Sequence, residues 1–398
     1  MNVETKKPAY ILPVIVFAQF AGTSLWFAGN AVIQDLRDAF GLGAEALGDL
    51  TAAVQLGFIA GTFFFALLSV ADRFSPSRVF LFSAFMGAFF NLCVSFFADG
   101  LFSLLLFRFL TGFFLAGIYP VGMKISADWY NKGLGKALGF LVGALVLCTA
   151  FPHLLREYSQ GLPWKAVLWA TSGVALFGGL LLFLLVGDGP NRRPSAHFEW
   201  NAIPRIFRFK PFRLAAFGYF GHMWELYAFW AFVPVLLATY TKINYWEFST
   251  SIWSFAIIGV GGLGCVAGGY YSLRIGSARV AFGMLLTSGV CCLLSPFLFW
   301  LPPWLFLAVL LLWGVSVVGD SPQFSTVVAQ TAPPHYIGTA LTIVNSIGFA
   351  VTIGSIQLLN NLRGIIGTEY IFVLLLPGPL FGLYALWQLV AKGVYMQP

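Results

Sequence analysis

Charge is scarce in this chain. Only 9% of its 398 residues are Asp, Glu, Lys or Arg. A soluble fold of this length needs a charged shell around its apolar interior, so a globular protein in water is excluded. Reactive side chains are few as well. The four histidines, His153, His197, His222 and His335, are scattered, which argues against a membrane enzyme built on clustered acid–base or metal groups. The five cysteines, Cys93, Cys148, Cys265, Cys291 and Cys292, fall inside apolar stretches without metal-ligand spacing and read as small packed residues. No G-x-x-x-x-G-K-[ST] phosphate loop is present, so ATP is not the expected energy source. Loops long enough for a catalytic domain are also missing. No cofactor and no metal are expected.

What the chain has instead is hydrocarbon. Hydrophobic residues reach 59%, and the mean hydropathy is +0.85. The apolar runs, such as 80–98 and 166–186, are continuous rather than alternating, which predicts membrane helices and not barrel strands. The expected spans are 10–33, 47–70, 79–98, 102–125, 135–155, 164–187, 214–238, 248–271, 280–300, 304–328, 337–359 and 370–391. The first apolar stretch after Lys6 and Lys7 is too long for a signal-peptide core, so no cleavable signal is expected. With the N-terminus inside, sixteen Lys and Arg fall on inner segments and five on outer loops. That bias predicts a multi-pass protein of the cytoplasmic (inner) membrane with both termini cytoplasmic. It also accounts for the net charge of +7 through topology and anionic lipid, with no nucleic-acid partner.

The chain repeats itself. Phe17-Ala-Gln-Phe20-Ala pairs with Phe217-Gly-Tyr-Phe220-Gly, and the Arg73 and Arg78 loop pairs with Arg274 and Arg279. Gly117-Ile-Tyr-Pro120 pairs with Gly319-Asp-Ser-Pro322, and Gly135-Lys-Ala-Leu138 with Gly338-Thr-Ala-Leu341. The offset drifts only from 200 to 203 residues. A duplicated helical membrane protein implies two related bundles with a binding site where they meet. The expected division is 1–187, a proline-rich, basic and aromatic linker at 188–213, and 214–398.

The loop Leu68-Ser-Val-Ala-Asp72-Arg73-Phe-Ser75-Pro76-Ser-Arg78 resembles the G-x-x-x-D-R-x-G-R-x-R loop of the major facilitator superfamily. Its Asp, first Arg and last Arg fit. The second copy, Gly269 to Arg279, keeps both glycine positions and loses the acid. Arg108-Phe-Leu-Thr-Gly112 before Gly117, and Ala127-Asp128-Trp129-Tyr130 before Gly133 and Gly135, are similar to the family's fourth-helix motif and the stretch after it. The Gly-Pro motif of many drug–proton antiporters is not reproduced, since Phe151 precedes Pro152. The resemblance covers essentially the whole chain. It implies an all-α integral membrane fold of twelve transmembrane helices in two pseudo-symmetric six-helix bundles. It also implies gating roles for Asp72, Arg73, Arg78, Asp128, Arg274 and Arg279.

Ionisable groups near a bilayer centre cost roughly 2.5–3.5 kcal/mol each on insertion scales, so they need a reason to be there. Arg108, Glu225 and Asp320 qualify, and none has a charged counterpart in the other half. Asymmetric charge points to substrate or coupling ion; the competing reading is an internal Arg–carboxylate pair between the halves. Arg108 is expected to bind an anionic group, because guanidinium forks onto carboxylate or phosphate. Asp320 or Glu225 is expected to carry a coupling proton, with His222 tuning or relaying it. Gln19, Thr23, Trp26 and Asn30 recur at helical spacing on the first span. Together with Tyr119, Trp224, Tyr227, Gln323 and Asn345 they are the candidate substrate ligands. The expected protein is a monomeric secondary active transporter of a small organic or inorganic anion, coupled to protons rather than sodium. Proton-coupled export of an amphipathic compound and a non-transporting receptor or scaffold are the alternatives.

Overall fold

The computed structural model describes residues 8–130, 134–159, 162–192, 202–333 and 336–391, leaving aside the side chains at 72, 134–136, 138, 202 and 338. Eleven helices there are long and apolar enough to cross a bilayer. In the first half these are span 2 (Ala46–Leu67), span 3 (Pro76–Phe96), span 4 (Leu101–Trp129), span 5 (Gly139–Tyr158) and span 6 (Lys165–Leu185). In the second they are span 7 (Lys210–Asn244), span 8 (Thr250–Ile275), span 9 (Ser277–Trp300), span 10 (Pro303–Thr331), span 11 (Thr339–Ile366) and span 12 (Ile371–Ala391).

The first span departs from the expected continuous helix over 10–33. Its helix Ile11–Thr23 has 13 residues, about 20 Å of rise against a hydrocarbon core of about 30 Å. The chain then leaves helical geometry and resumes as the short helices Ala28–Ala31 and Ile33–Phe40. The physical reason is a replacement of backbone partners, since the Arg108 side chain of span 4 takes the Leu25 and Trp26 carbonyls that the break exposes.

Spans 4 and 10 are each made of two helices, Leu101–Leu115 with Tyr119–Trp129 and Pro303–Gly319 with Ser321–Thr331. The breaks fall at the repeated Gly117-to-Pro120 and Gly319-to-Pro322 motifs. Proline lacks the amide proton and collides with the carbonyl four residues back, so the helix ends just before it. The duplicated sequence motif is thus a duplicated helix interruption.

A second repeated device sets how closely helices cross. A side chain on Gly57 would run into the Phe109 carbonyl, and one on Gly112 into that of Val54, so spans 2 and 4 touch backbone to backbone. In the other half Gly314 of span 10 meets the Ile257 carbonyl of span 8 in the same way. Lipid gives no hydrophobic drive to helix association, and such close approach is how membrane helices gain dispersion contact.

The halves pack on each other through spans 2 and 11 and spans 5 and 8. At the end away from the linker they are pinned by hydrogen bonds. Gln357 Nε2 donates to Asp49 Oδ1 at 3.0 Å, Asn360 Nδ2 to the Glu45 carbonyl at 2.8 Å, and Ser249 Oγ to Glu157 Oε2 at 2.5 Å.

Candidate functional site

Between the halves lies a cavity of about 1750 Å³. Its closed end is aromatic. Trp26 stacks on Phe349 with ring centroids 5.5 Å apart, and Tyr227 lies 5.2 Å from Phe349. Phe58 meets Trp26 at 4.7 Å and Phe349 at 4.6 Å, so rings from spans 1, 2, 7 and 11 form one block. The lining continues to residues 272, 273 and 275–279 and to Leu389 and Val390, at the end where the linker runs. Residues such as Tyr270 and Leu273 are exposed there, so the cavity opens on that side.

Four of the expected ligands line this space: Tyr119, Tyr227, Gln323 and Asn345. Gln323 Oε1, Trp230 Nε1 and Ser346 Oγ in the same wall are buried without a hydrogen-bond partner among the described residues. Most of the rest of the wall is apolar, with Phe58, Met123, Met223, Leu226 and Phe349 contributing, and Thr62, Ser325, Thr326, Gln330 and Thr342 are among its further polar residues. Among the described residues only Lys124 and Arg279 bring charge to it, and both are basic. Sequence reasoning missed Trp230, Tyr219, Met223 and Phe349. They recur at helical spacing with Tyr227 and Asn345, but a stripe of large apolar residues is invisible against an apolar helix.

Six expected ligands lie elsewhere. Gln19 is fully buried against Gly122 of span 4, with neither amide atom partnered among the described residues. Thr23 returns its hydroxyl to the Gln19 carbonyl at 2.6 Å, and Asn30 donates to Thr51 Oγ1 at 2.7 Å. Trp26 backs the aromatic block, and Trp224 donates to the Leu374 carbonyl at 3.2 Å. The single-face stripe expected for 19–30 does not form, because the helix ends at Thr23.

Arg108 is 1% exposed and stands apart from the cavity lining. Its Nη1 donates to the Leu25 carbonyl and to Asn91 Oδ1, both at 3.1 Å, and its Nη2 to the Trp26 carbonyl. The guanidinium therefore closes the break in the first span, where helix-end carbonyls attract a cation. The alternative of an Arg–carboxylate pair between the halves is not what forms, as its partners are backbone oxygens and an amide.

The two acids separate. Glu225 accepts from Trp313 Nε1 at 2.6 Å, Ser288 Oγ at 2.9 Å and Cys292 Sγ at 3.3 Å, tying spans 7, 9 and 10 together. Asp320 lies in the span 10 break, with Oδ1 2.9 Å from His222 Nδ1. Both side chains are buried, at 0% and 1% exposure, yet the cavity-lining Ser321 and Met223 are their immediate neighbours in sequence. Asp320 Oδ2 and His222 Nε2 have no hydrogen-bond partner among the described residues. The His222 ring stacks on Phe324 at 5.3 Å, which fixes its plane.

Of the expected gate residues, Arg73, Arg78 and Arg274 are exposed, Arg279 lines the cavity mouth, and Asp128 is buried. The side chain of Asp72 lies outside the described residues, as do His197 and His335. A carboxylate not singled out from the sequence holds the 2–3 loop. Asp188 Oδ1 accepts from Ser75 Oγ at 2.9 Å, Ser77 Oγ at 2.9 Å and the Ser77 amide at 3.1 Å. Arg192 reaches Asp188 Oδ2 at 3.2 Å and the Phe74 carbonyl at 2.8 Å. Partial burial opposes charge on Asp188, but the Ser77 amide, the two hydroxyls and Arg192 outweigh it and hold its carboxyl below the ordinary value. The i, i+4 spacing of Asp188 and Arg192 was the available signal.

The family model described as Major Facilitator Superfamily matches residues 14–355. The chain belongs to the major facilitator superfamily. It is 24% identical over 204 residues to the YgaY transporter of Escherichia coli (strain K12), and equally to its counterpart in O157:H7, uncharacterized transporter YgaY. That match takes in 49% of this chain, which spans 50% of the length of these relatives. Two crystal structures of a bacterial homologue of the human lysosomal transporter Spinster, both inward-facing, share the fold. The unoccupied form gives a TM-score of 0.70 at 14% identity over 98% of this chain and 96% of that one. The occupied form gives 0.71 at 14% over 96% and 97%. The protein is thus a multi-pass membrane protein of this superfamily.

Proposed function

We propose that the chain is a proton-coupled transporter of an amphipathic organic anion, working by alternating access in the cytoplasmic membrane. The observation that carries this reading is the cavity wall: mostly apolar and aromatic, with charge supplied among the described residues only by Lys124 and Arg279. Such a wall suits a solute with a large apolar body and an anionic head. A small inorganic anion would leave most of that wall in contact with nothing that rewards it. The placement of Arg108 on backbone carbonyls moves the anion preference from that residue to the cavity mouth.

With both termini cytoplasmic, as the basic-residue bias favours, the open end faces inward. This is the state in which the Spinster homologue structures are described. Moving to the other state requires the aromatic block and the Asp49–Gln357 and Glu45–Asn360 bonds to part.

Proton coupling is supported by the His222–Asp320 pair. With neutral His and ionised Asp the pair carries one negative charge, and one proton makes it neutral, the form a dry site tolerates. Protonation state and span 10 geometry are linked, because Asp320 is the residue at which that span breaks. Proteoliposomes test the reading. A pH gradient alone should drive accumulation of an amphipathic anion such as a long-chain carboxylate. Lys124→Gln with Arg279→Gln should weaken uptake of the anion while sparing a neutral analogue. Preference for an amphipathic cation, or accumulation driven by sodium and not by pH, would overturn it.

A further inference from the structure

The end of the molecule away from the linker brings two cations together across the halves. Arg37 stands on the helix Ile33–Phe40 of the first half, and Arg363 near the end of span 11 in the second. Asn360, one turn before Arg363, donates to the Glu45 carbonyl, so this face of span 11 lies against the first half. The Arg37 charge repels that of Arg363, and the Glu45 charge attracts it. Arg363 sits over the Phe232 ring of span 7, 5.8 Å from its centroid, which seats it on the second half. Arg37 Nη1 donates to Gln34 Oε1 within its own helix at 3.2 Å. Neither arginine forms an ion pair with a carboxylate among the described residues. Arg37 Nε and Arg363 Nη2 are buried without a hydrogen-bond partner there.

The acids of the same segments are engaged elsewhere. Asp35 pairs with Arg156 at 2.8 Å, Asp38 accepts from Gln34 at 2.9 Å, and Asp49 accepts from Gln357. Glu45 lays its carboxyl against Gly43. A buried N–H without an acceptor costs its desolvation, and like charges push an interface apart. One anion between the two guanidinium groups removes both penalties, and oxyanions match the guanidinium fork. We propose that Arg37 and Arg363 form an anion site between the halves, which takes a small free oxyanion, phosphate or carboxylate, and holds this end of the molecule shut. An anion gripped from both halves binds the closed end better than the parted one, so it shifts the population toward closure. The site is separate from the central cavity and does not depend on what the cavity carries.

The test is thermal melting of the full chain in dodecyl maltoside, whose head group carries no phosphate, with inorganic phosphate as the probe. The wild-type midpoint should rise with the logarithm of phosphate concentration, by about 3 °C at a hundred times the dissociation constant. Phosphate also stabilises proteins by exclusion from their surface, an effect that every variant shares. Arg37→Gln and Arg363→Gln should each lose the logarithmic rise. Arg37→Glu puts a carboxylate beside Arg363, so it should melt at or above the wild type without phosphate and show no logarithmic response to it. Equal responses in the wild type and both Gln variants, or none in the wild type, would overturn the site. Loss in one Gln variant alone would leave a single-arginine contact, and the bridge between the halves would be wrong. A logarithmic response retained by Arg37→Glu has the same consequence, and it can be read even where the Gln variants do not fold. If dihexanoylphosphatidylglycerol protects and inorganic phosphate does not, the arginines hold lipid and the free-anion site is wrong.

Discussion

His222 on span 7 and Asp320 on span 10 face each other with 2.9 Å between Nδ1 and Oδ1, one residue away in sequence from cavity-lining Met223 and Ser321. The pair is closed to solvent in this state but sits at a helix break that can admit water. That combination, sealed yet next to the substrate space, is what a group that alternates between two aqueous faces requires.

Asp320→Asn removes the ionisable group and keeps the shape. Proton-driven accumulation should disappear while substrate counterflow, which needs no net proton movement, persists. His222→Gln should act in the same direction. The measurement is uptake in proteoliposomes under an imposed pH gradient, beside exchange at equal pH. Wild-type accumulation by Asp320→Asn would remove the pair from the coupling mechanism.

Glu225 is expected to behave differently from Asp320. Its two oxygens accept from three donors, so Glu225→Leu leaves three buried donors without that acceptor. Destabilisation of about 1–3 kcal/mol is expected, with pH-driven accumulation retained. Thermal unfolding and uptake on the same preparation check this. Unchanged stability with lost accumulation would make Glu225 the proton carrier instead.

Arg108 closes the first-span break through two carbonyls and Asn91. A lysine keeps the charge but cannot reach three acceptors in a plane. Arg108→Lys and Arg108→Gln should each lower stability, by about 2–4 kcal/mol, because buried acceptors are left without donors. Transport should fall in parallel, as Trp26 in the aromatic block hangs on the same segment. Variants with wild-type melting that have lost only anion binding would restore the substrate role.

Asp188 should make the 2–3 loop sensitive to acid. Its folded-state carboxyl value lies below the ordinary 3.8. The contribution is therefore fully present above that value and is lost as pH falls through the lower, folded one. At neutral pH Asp188→Asn should be less stable by about 1–2 kcal/mol, given partly exposed charged hydrogen bonds. The two proteins should converge in acid well below pH 3.8. Melting temperature against pH reads both; a constant difference at every pH would mean the carboxylate's charge is not what matters.

Composition and the 200-residue offset determined the membrane setting, the helical class and the repeat, because hydropathy and duplicated breakpoints are local properties of the chain. Gly117-to-Pro120 and Gly319-to-Pro322 mark the helix interruptions in the text of the sequence itself. Arg108, Glu225 and Asp320 could likewise be singled out, since an ionisable residue in an apolar run is visible without coordinates. Only the tertiary structure decided what each one touches. Arg108 meets carbonyls from 82 and 83 residues away in the chain; Glu225 and Asp320, both expected at the centre, have wholly different partners. The helix break at Ser24, which undid the polar stripe of the first span, depends on those distant donors. So does the cavity, whose Phe58 and Lys124 join Trp230 and Phe349 in a single wall only when two bundles meet. Hydrophobicity fixes which segments enter lipid, but the direction a side chain faces is set by the helix packed against it, and that information is spread over residues far apart in sequence.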